Sequence, residues 1–275
     1  MSSWRLLHKE ELEYQYSPSR WSPRMDKDAV IEAHVREITE GTKKSRSVTE
    51  TLLNVPYGAL EGEKIDIYLP SHPSGEFPFF VFVHGGYWQF LSKEESGFMA
   101  APLVRNGIAV AALDYDIAPK GHMDLMISQV RRSIVFIVQQ YPHIREFAVR
   151  NSPMQHVMEV KSRAENCSIM VVVAEYDTPE FRRQSQEYVQ SLQALGLNVC
   201  LKDMAGVDHF DVIEKLSQED YILTQMILTM ILSISSKASS CSQVNSDVLD
   251  PVLYVPEISL PAACPAGQDE ICTYH

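Results

Sequence analysis

Three short runs in this chain are apolar almost throughout: Phe77–Val83 (FPFFVFV), Ile108–Leu113 (IAVAAL) and Ile169–Ala174 (IMVVVA). A strand with no polar face is buried on both sides, which is the mark of a parallel sheet covered by helices. Helical patterns stand around these runs. Within Lys9–Ser45, KEELEYQY is followed by the breaker SPSRWSP, and then Val30, Ile31, Val35 and Ile38 recur at helical spacing. Further helices are expected at Ser92–Asn106, Met123–Tyr141, Glu180–Leu195 and Asp220–Ser235, the first three ended by Gly107, Pro142 and Gly196. Thr51–Tyr57 and Lys64–Leu69 flank the turn-rich GALEGE as a hairpin, and Asn198–Met204 reads as a further strand. The alternation predicts an α/β protein: a mostly parallel sheet with flanking helices and an antiparallel edge. In such sheets ligands bind at the carboxyl ends of the strands.

The pattern stops after Ser235. Residues 236–275 carry four prolines and one lysine against five acids, without a sustained period. They read as a flexible tail behind one domain over 1–235. The whole chain is 45% hydrophobic and 22% charged, ordinary for a globular protein of 275 residues. Its net charge of -12 argues against nucleic-acid binding, which needs clustered Lys and Arg. The longest apolar stretch, Ile222–Ile234, has 13 residues, where a bilayer span takes about 20. The opening MSSWRLLHKEELE has no apolar core before its charges, so neither a signal peptide nor membrane association is expected. Cys167, Cys200, Cys241, Cys264 and Cys272 are odd in number and form no CxxC pair. That is neither a disulfide framework nor a zinc site, and it favours a cytoplasmic location, with the nucleus as a second compartment.

Three clusters sit at expected strand ends. His84-Gly85-Gly86-Tyr87-Trp88 follows FPFFVFV directly. Two glycines there allow a sharp turn that aims backbone N–H groups into a cleft, as an oxyanion hole requires. A plain strand-to-helix turn would need neither the histidine nor the aromatic pair. Asp177 follows IMVVVA, with Thr178 as the N-cap and Pro179 opening the next helix; alone it would read as a capping acid. His209 follows LNVCLKDM, and alone it would read as a loop histidine beside Asp208. An acid and then a histidine, each after a late strand, is the chain order of an α/β-hydrolase triad. The carboxylate orients the imidazole, and the imidazole acts as general base.

The nucleophile that this order requires is missing. No glycine stands between Gly121 and Gly196, so no G-x-S-x-G elbow can lie there. From Pro142 to Ile169 only 26 residues intervene, whereas two more βα units would take roughly 50, at about 30 per βαβ. The stretch is polar and shows no buried-strand run. Ser152, Cys167 and Ser168 lie in or beside it, and none has an elbow pattern around it. His122, His143 and His156 read as loop or helix-surface residues, and no HxxxH or carboxylate cluster suggests a metal.

At this point the chain resembles the kynurenine formamidases (arylformamidases), which are α/β-hydrolases of tryptophan catabolism. The resemblance runs through ELEYQYSPSRW, LLNVPYG, EGEKIDIYLP, FPFFVFVHGGYWQ, DYDIAPKG, RNSP, VVVAEYDTPEFRRQS and VDHFDVIEKL, covering about Leu12 to Ser233. It implies an α/β-hydrolase fold and hydrolysis of N-formyl-L-kynurenine to kynurenine and formate, with no cofactor and no metal. A related carboxylesterase is the alternative, since HGG loops also occur in esterases. The substrate implied is a small aryl formamide or ester, and association into a homo-oligomer stays open. By motif, Asp177 and His209 match the family's acid and base, and His84 to Trp88 its HGGxW loop. The family's G-H-S-A-G serine has no counterpart. The elbow strand and the neighbouring βα unit are expected to be missing as a block, and the tail departs from the family too. Alternative exon use or a faulty gene model leaves this pattern. The expectation is a catalytically impaired or inactive variant, acting, if at all, through subunit association or ligand binding. Its sheet would close by pairing FPFFVFV with IMVVVA.

Overall fold

The computed structural model describes residues 7–71, 77–141, 144–150, 168–240 and 251–256. Two helices come first, α1 (Lys9–Gln15) and α2 (Lys27–Val48), separated by a single 3-10 turn at Pro18–Trp21. The proline-bracketed SPSRWSP breaks the helix as its composition demands, and Asp26 restarts it by accepting from the Asp28 N–H. Strands β1 (Glu50–Pro56), β2 (Lys64–Leu69) and β3 (Phe77–Val83) follow, then the short helix α3 (Ala100–Arg105) and β4 (Ala109–Leu113). The expected long helix over Ser92–Asn106 is instead a capped 3-10 turn at Lys93–Glu95 and the short α3. The break falls around Gly97, where a Cβ would overlap the Tyr68 hydroxyl. Helix α4 (Met123–Gln140) leads to β5 (Ile144–Arg150). Then come β6 (Ser168–Ala174), α5 (Pro179–Ala194), β7 (Asn198–Met204), the one-turn α6 (Asp211–Glu214), α7 (Ile222–Ser240) and β8 (Pro251–Pro256).

The eight strands form one sheet in the order β1-β2-β4-β3-β5-β8-β6-β7. β1 and β2 pair antiparallel, as do β2 and β4; every other pairing is parallel. Three expectations are corrected here. Ile144–Arg150 is a strand, although its sequence IREFAVR has no continuous apolar run. And β3 does not pair with β6: β5 and β8 stand between them. The segment read as part of a flexible tail supplies β8, with Val252 opposite Ala148 on one side and Leu253 opposite Ile169 on the other. The physical reason is the same for both strands. β3 and β6 are buried apolar strands, and their facing edges carry N–H and C=O groups that need partners away from water. Residues 236–240 of the expected tail continue α7, while its remainder, and Cys167, Cys241, Cys264, Cys272, His143, His156 and Ser152, lie outside the described residues.

The strands alternate between two core faces. Phe80 and Phe82 of β3, Val110 and Ala112 of β4 and Met170 and Val172 of β6 face α2, α3 and α7. Phe79 and Val81 turn to the other face, under Met126, Val130 and Ile137 of α4. Ile169 and Val171 turn likewise, under Tyr188, Val189 and Leu192 of α5. Phe79, Phe80 and Val81 are each 1% exposed or less, so β3 is apolar because both of its faces are covered. No helix among the described residues is long and apolar enough to cross a membrane.

Candidate active site

The sheet brings the carboxyl ends of β3, β6 and β7 to one edge, and each carries one of the three clusters. After β6 the chain turns through Glu175-Tyr176-Asp177 into α5. The Asp177 N–H returns to the Ala174 carbonyl at 3.2 Å, and the Ala174 N–H donates to Asp177 Oδ2 at 2.6 Å. Arg182 braces the same turn from α5: its Nη1 donates to the Ala174 carbonyl at 2.8 Å, while its guanidinium pairs with Asp203 on β7. Helix α5 is capped by Thr178, whose side chain accepts from the Phe181 N–H, with Pro179 in its first turn. Capping is therefore not what occupies Asp177.

His209 does occupy it. After β7 the chain turns through Gly206, at φ +71, and the Tyr176 N–H donates to the Val207 carbonyl at 3.2 Å, tying the two loops together. His209 Nδ1 then lies 3.1 Å from Asp177 Oδ1. The Asp177 side chain is fully buried, and that of His209 is 27% exposed. Phe181 and Phe210 flank the imidazole at 5.7 and 5.4 Å between ring centroids. An imidazole bonded through Nδ1 to a buried carboxylate keeps Nε2 as its proton acceptor, which is a general base in waiting.

The glycine loop after β3 holds an unusual backbone. Gly86, Tyr87, Trp88 and Leu91 have φ of +94, +51, +61 and +67. For bulky residues such angles are uncommon, cost on the order of 1–3 kcal/mol each, and collect at functional sites. The surroundings hold them. The Tyr87 hydroxyl donates to the Tyr16 carbonyl at 2.7 Å, the Ala118 N–H to the Trp88 carbonyl at 2.7 Å, and the Gln89 N–H to the Gly86 carbonyl at 3.1 Å. Gly86 is required twice over, by its φ and because a Cβ would overlap the Phe90 carbonyl oxygen; a Cβ on Gly85 would meet open space. His84 does not join the acid–histidine pair. It is buried, stacked on Tyr115 at 4.3 Å and 9°, with the Tyr115 hydroxyl donating to its carbonyl at 2.9 Å and its Nε2 3.6 Å from Asp114. It anchors the loop from below.

Tyr16, in the segment before the first 3-10 turn, links the loop to the acid's helix. Its carbonyl takes Tyr87, while its hydroxyl donates to Glu180 at 3.0 Å and accepts from Gln184 at 3.0 Å. Burial, followed by the Glu180 charge, pushes the Tyr16 phenol up to about 12, so it stays a donor at neutral pH. The sequence reading missed Tyr16. The only signal was its place in the ELEYQYSPSRW motif, which nothing local ties to a loop seventy-one residues away.

This geometry can be set beside known proteins. A family model described as BD-FAE matches residues 65–152. The kynurenine formamidase of Danio rerio is 44% identical over 290 aligned positions, covering 84% of this chain and 99% of that protein. That of Salmo salar is 44% identical over 291, covering 84% and 99%. Among solved structures, esterase B from Lactobacillus rhamnosis is similar with a TM-score of 0.57 at 10% identity, covering 78% of this chain and 98% of that one. An esterase of Pyrobaculum calidifontis gives 0.54 at 15%, covering 79% and 95%. The structural likenesses show the fold, that of the α/β-hydrolase esterases.

Proposed function

The chain belongs to the kynurenine formamidase family, and on that premise we propose that it keeps the acid–base pair and the oxyanion loop of an arylformamidase but not the serine. The observation that carries the reading is the 3.1 Å contact between His209 Nδ1 and the buried Asp177 carboxylate. In this arrangement Asp177 holds the Nδ1–H form of the imidazole and stabilises the imidazolium, while Nε2 takes a proton from whatever attacks the formyl carbon. The positive-φ run Gly86-Tyr87-Trp88 stands at the carboxyl end of β3, and backbone N–H groups of this loop are the ones that would hold an oxyanion. The substrate class is a small aryl formamide, N-formyl-L-kynurenine in the family's own reaction.

Two observations support the loss of the nucleophile. From Ile144 to Ala174, β5, residues 151–167 and β6 together have the length of one βαβ unit, about 30 residues, which leaves no room for a second unit with an elbow strand. And 290 aligned positions exceed the 275 residues of the whole chain, so the fish relative carries residues that this chain lacks. Without a serine, His209 can only activate water. In a serine hydrolase, loss of the nucleophile lowers kcat roughly a millionfold and leaves the residual rate that the oxyanion hole and binding supply.

The test is hydrolysis of N-formyl-L-kynurenine by the purified chain beside its His209→Ala variant. The expected result is no activity above the variant and no labelling by a serine-directed fluorophosphonate. Turnover that disappears with His209 would mean a nucleophile outside any elbow, and the impaired reading would be wrong.

A further inference from the structure

Both chain neighbours of His209 are held by the N-terminal segment. Asp208 has a fully buried side chain. Its Oδ2 accepts from Ser22 Oγ at 2.5 Å and from Arg24 Nε at 2.9 Å, and its Oδ1 accepts the N–H groups of Phe210 and Asp211 at 2.9 and 2.7 Å. On the other side, the Phe210 ring lies edge-on to His209 and 5.2 Å from the His34 ring of α2. Arg24 reaches past His209 as well. Its Nη1 and Nη2 donate to the two oxygens of Glu214 at 2.8 and 3.2 Å, and Nη1 lies 3.4 Å from Asp211 Oδ1. His34 Nδ1 closes the cluster, 2.9 Å from Glu214 Oε1. One guanidinium therefore touches three carboxylates spread over Asp208–Glu214, the stretch that begins just before His209 and continues through α6. A planar group with five donors can do this; a lysine ammonium cannot.

We propose that Arg24 is a positioning residue for the general base: by clamping Asp208, Asp211 and Glu214 it fixes the loop that presents the His209 imidazole to Asp177. The proposal rests on the acid–base reading of Asp177 and His209 and adds to it a residue about 184 positions away in sequence. A contact that merely fastened the N-terminus to the body could land anywhere on the surface. These contacts fall on the residue before His209, on the ring after it and on the first turn of the helix that follows. The electrostatics agree. Burial alone would lower the Arg24 pKa, but its bonds to Glu214 and Asp208 reverse this and hold it above the usual value. Burial would raise Glu214, and the bonds from His34 and Arg24 hold it low instead. Arg24 and Glu214 are thus both ionised at neutral pH.

The test is spectroscopic, so it does not depend on turnover. In the full chain with 15N-labelled histidine rings, His209 should show a protonated Nδ1 in slow exchange with water and a bare Nε2. Arg24→Gln should lose that slow signal, with Nδ1 exchange at least tenfold faster, while amide signals away from residues 20–36 and 207–215 stay in place. Arg24→Lys should behave the same way, because the charge without the fork cannot span Asp208 and Glu214. Asp208→Asn offers a milder break: its amide oxygen can still accept from Phe210 and Asp211, yet the Arg24 and Ser22 bonds are weakened, and the same loss is expected. A His209 signal unchanged in Arg24→Gln or in Asp208→Asn would overturn the proposal. A slow Nδ1 signal missing from the unmodified chain would instead count against the acid–base reading. In that case displacement of the 207–211 amide signals in Arg24→Gln supports the clamp, and its absence overturns the clamp as well.

Discussion

Tyr87 and Trp88 sit where bulky residues rarely go, and the glycine before them sets how far that strain can be shared. Gly86→Ala adds a Cβ against the Phe90 carbonyl at φ +94; it should cost about 1–3 kcal/mol, read as a drop in Tm. Gly85→Ala points into open space and should stay within about 0.5 kcal/mol. Equal effects at the two positions would mean that the loop is not held as described. Glu214 gives a second prediction, in pH. Its folded pKa is depressed, so its contribution to stability is present above the unfolded value, about 4.3 for a glutamate, and is lost as pH falls through the lower folded value. Thermal stability should therefore decline as the solution is acidified below about pH 4.3. Glu214→Gln should be less stable at pH 7 and show a shallower decline over that acidic range. A melting series at several pH values checks both. Asp177 and His209 were legible in the sequence only as a pair, an acid and then a histidine each after a late strand, since either alone would read as a capping or a loop residue. Arg24 and His34 were not, since an ion pair between residues so far apart leaves no local pattern in either segment.

Among the elements, FPFFVFV, IAVAAL and IMVVVA fall on β3, β4 and β6 to within a residue, because burial on both faces writes itself as an unbroken apolar run. The antiparallel edge and most helix ends were marked by glycine and proline. β5 and β8 had no such mark. IREFAVR mixes charges into its run, and PVLYVP is bounded by prolines, which normally speak against an interior strand. Here the prolines stand at its two ends, where fewer ladder bonds are at stake. The place of β8 gives a direct prediction. Amides of Val252 to Val255 should exchange with solvent as slowly as those of Val171 to Val173 in β6, and Phe79–Val83 should be protected too. Leu253→Pro removes a ladder donor from a strand flanked on both sides and leaves its acceptor unpaired, which should destabilise the chain by about 1–3 kcal/mol. Fast exchange over 252–255 would remove β8 from the sheet.

Taken whole, the sheet has two blocks, β1-β2-β4-β3-β5 and β6-β7, and β8 is the single strand that hydrogen-bonds them together. Asp177 and His209 lie on the second block and the glycine loop on the first, so the distance between them depends on β8 as well as on the shared core. Tyr16 reinforces the same join from outside the sheet, through Tyr87 on one block and Glu180 on the other. Leu253→Pro should therefore raise light scattering as well as lower Tm, since it frees the facing edges of β5 and β6. A variant that stays monodisperse would show that the core alone keeps the blocks joined. The position of β8 also has a consequence in time. A ribosome makes seven of the eight strands before it reaches residue 251, and at about 5–20 residues per second the gap between β5 and β6 stays open for several seconds after β6 is complete. During synthesis the nascent chain must wait with an unfilled slot in the middle of its sheet, so its yield in the cell should track the supply of chaperones that cover such edges.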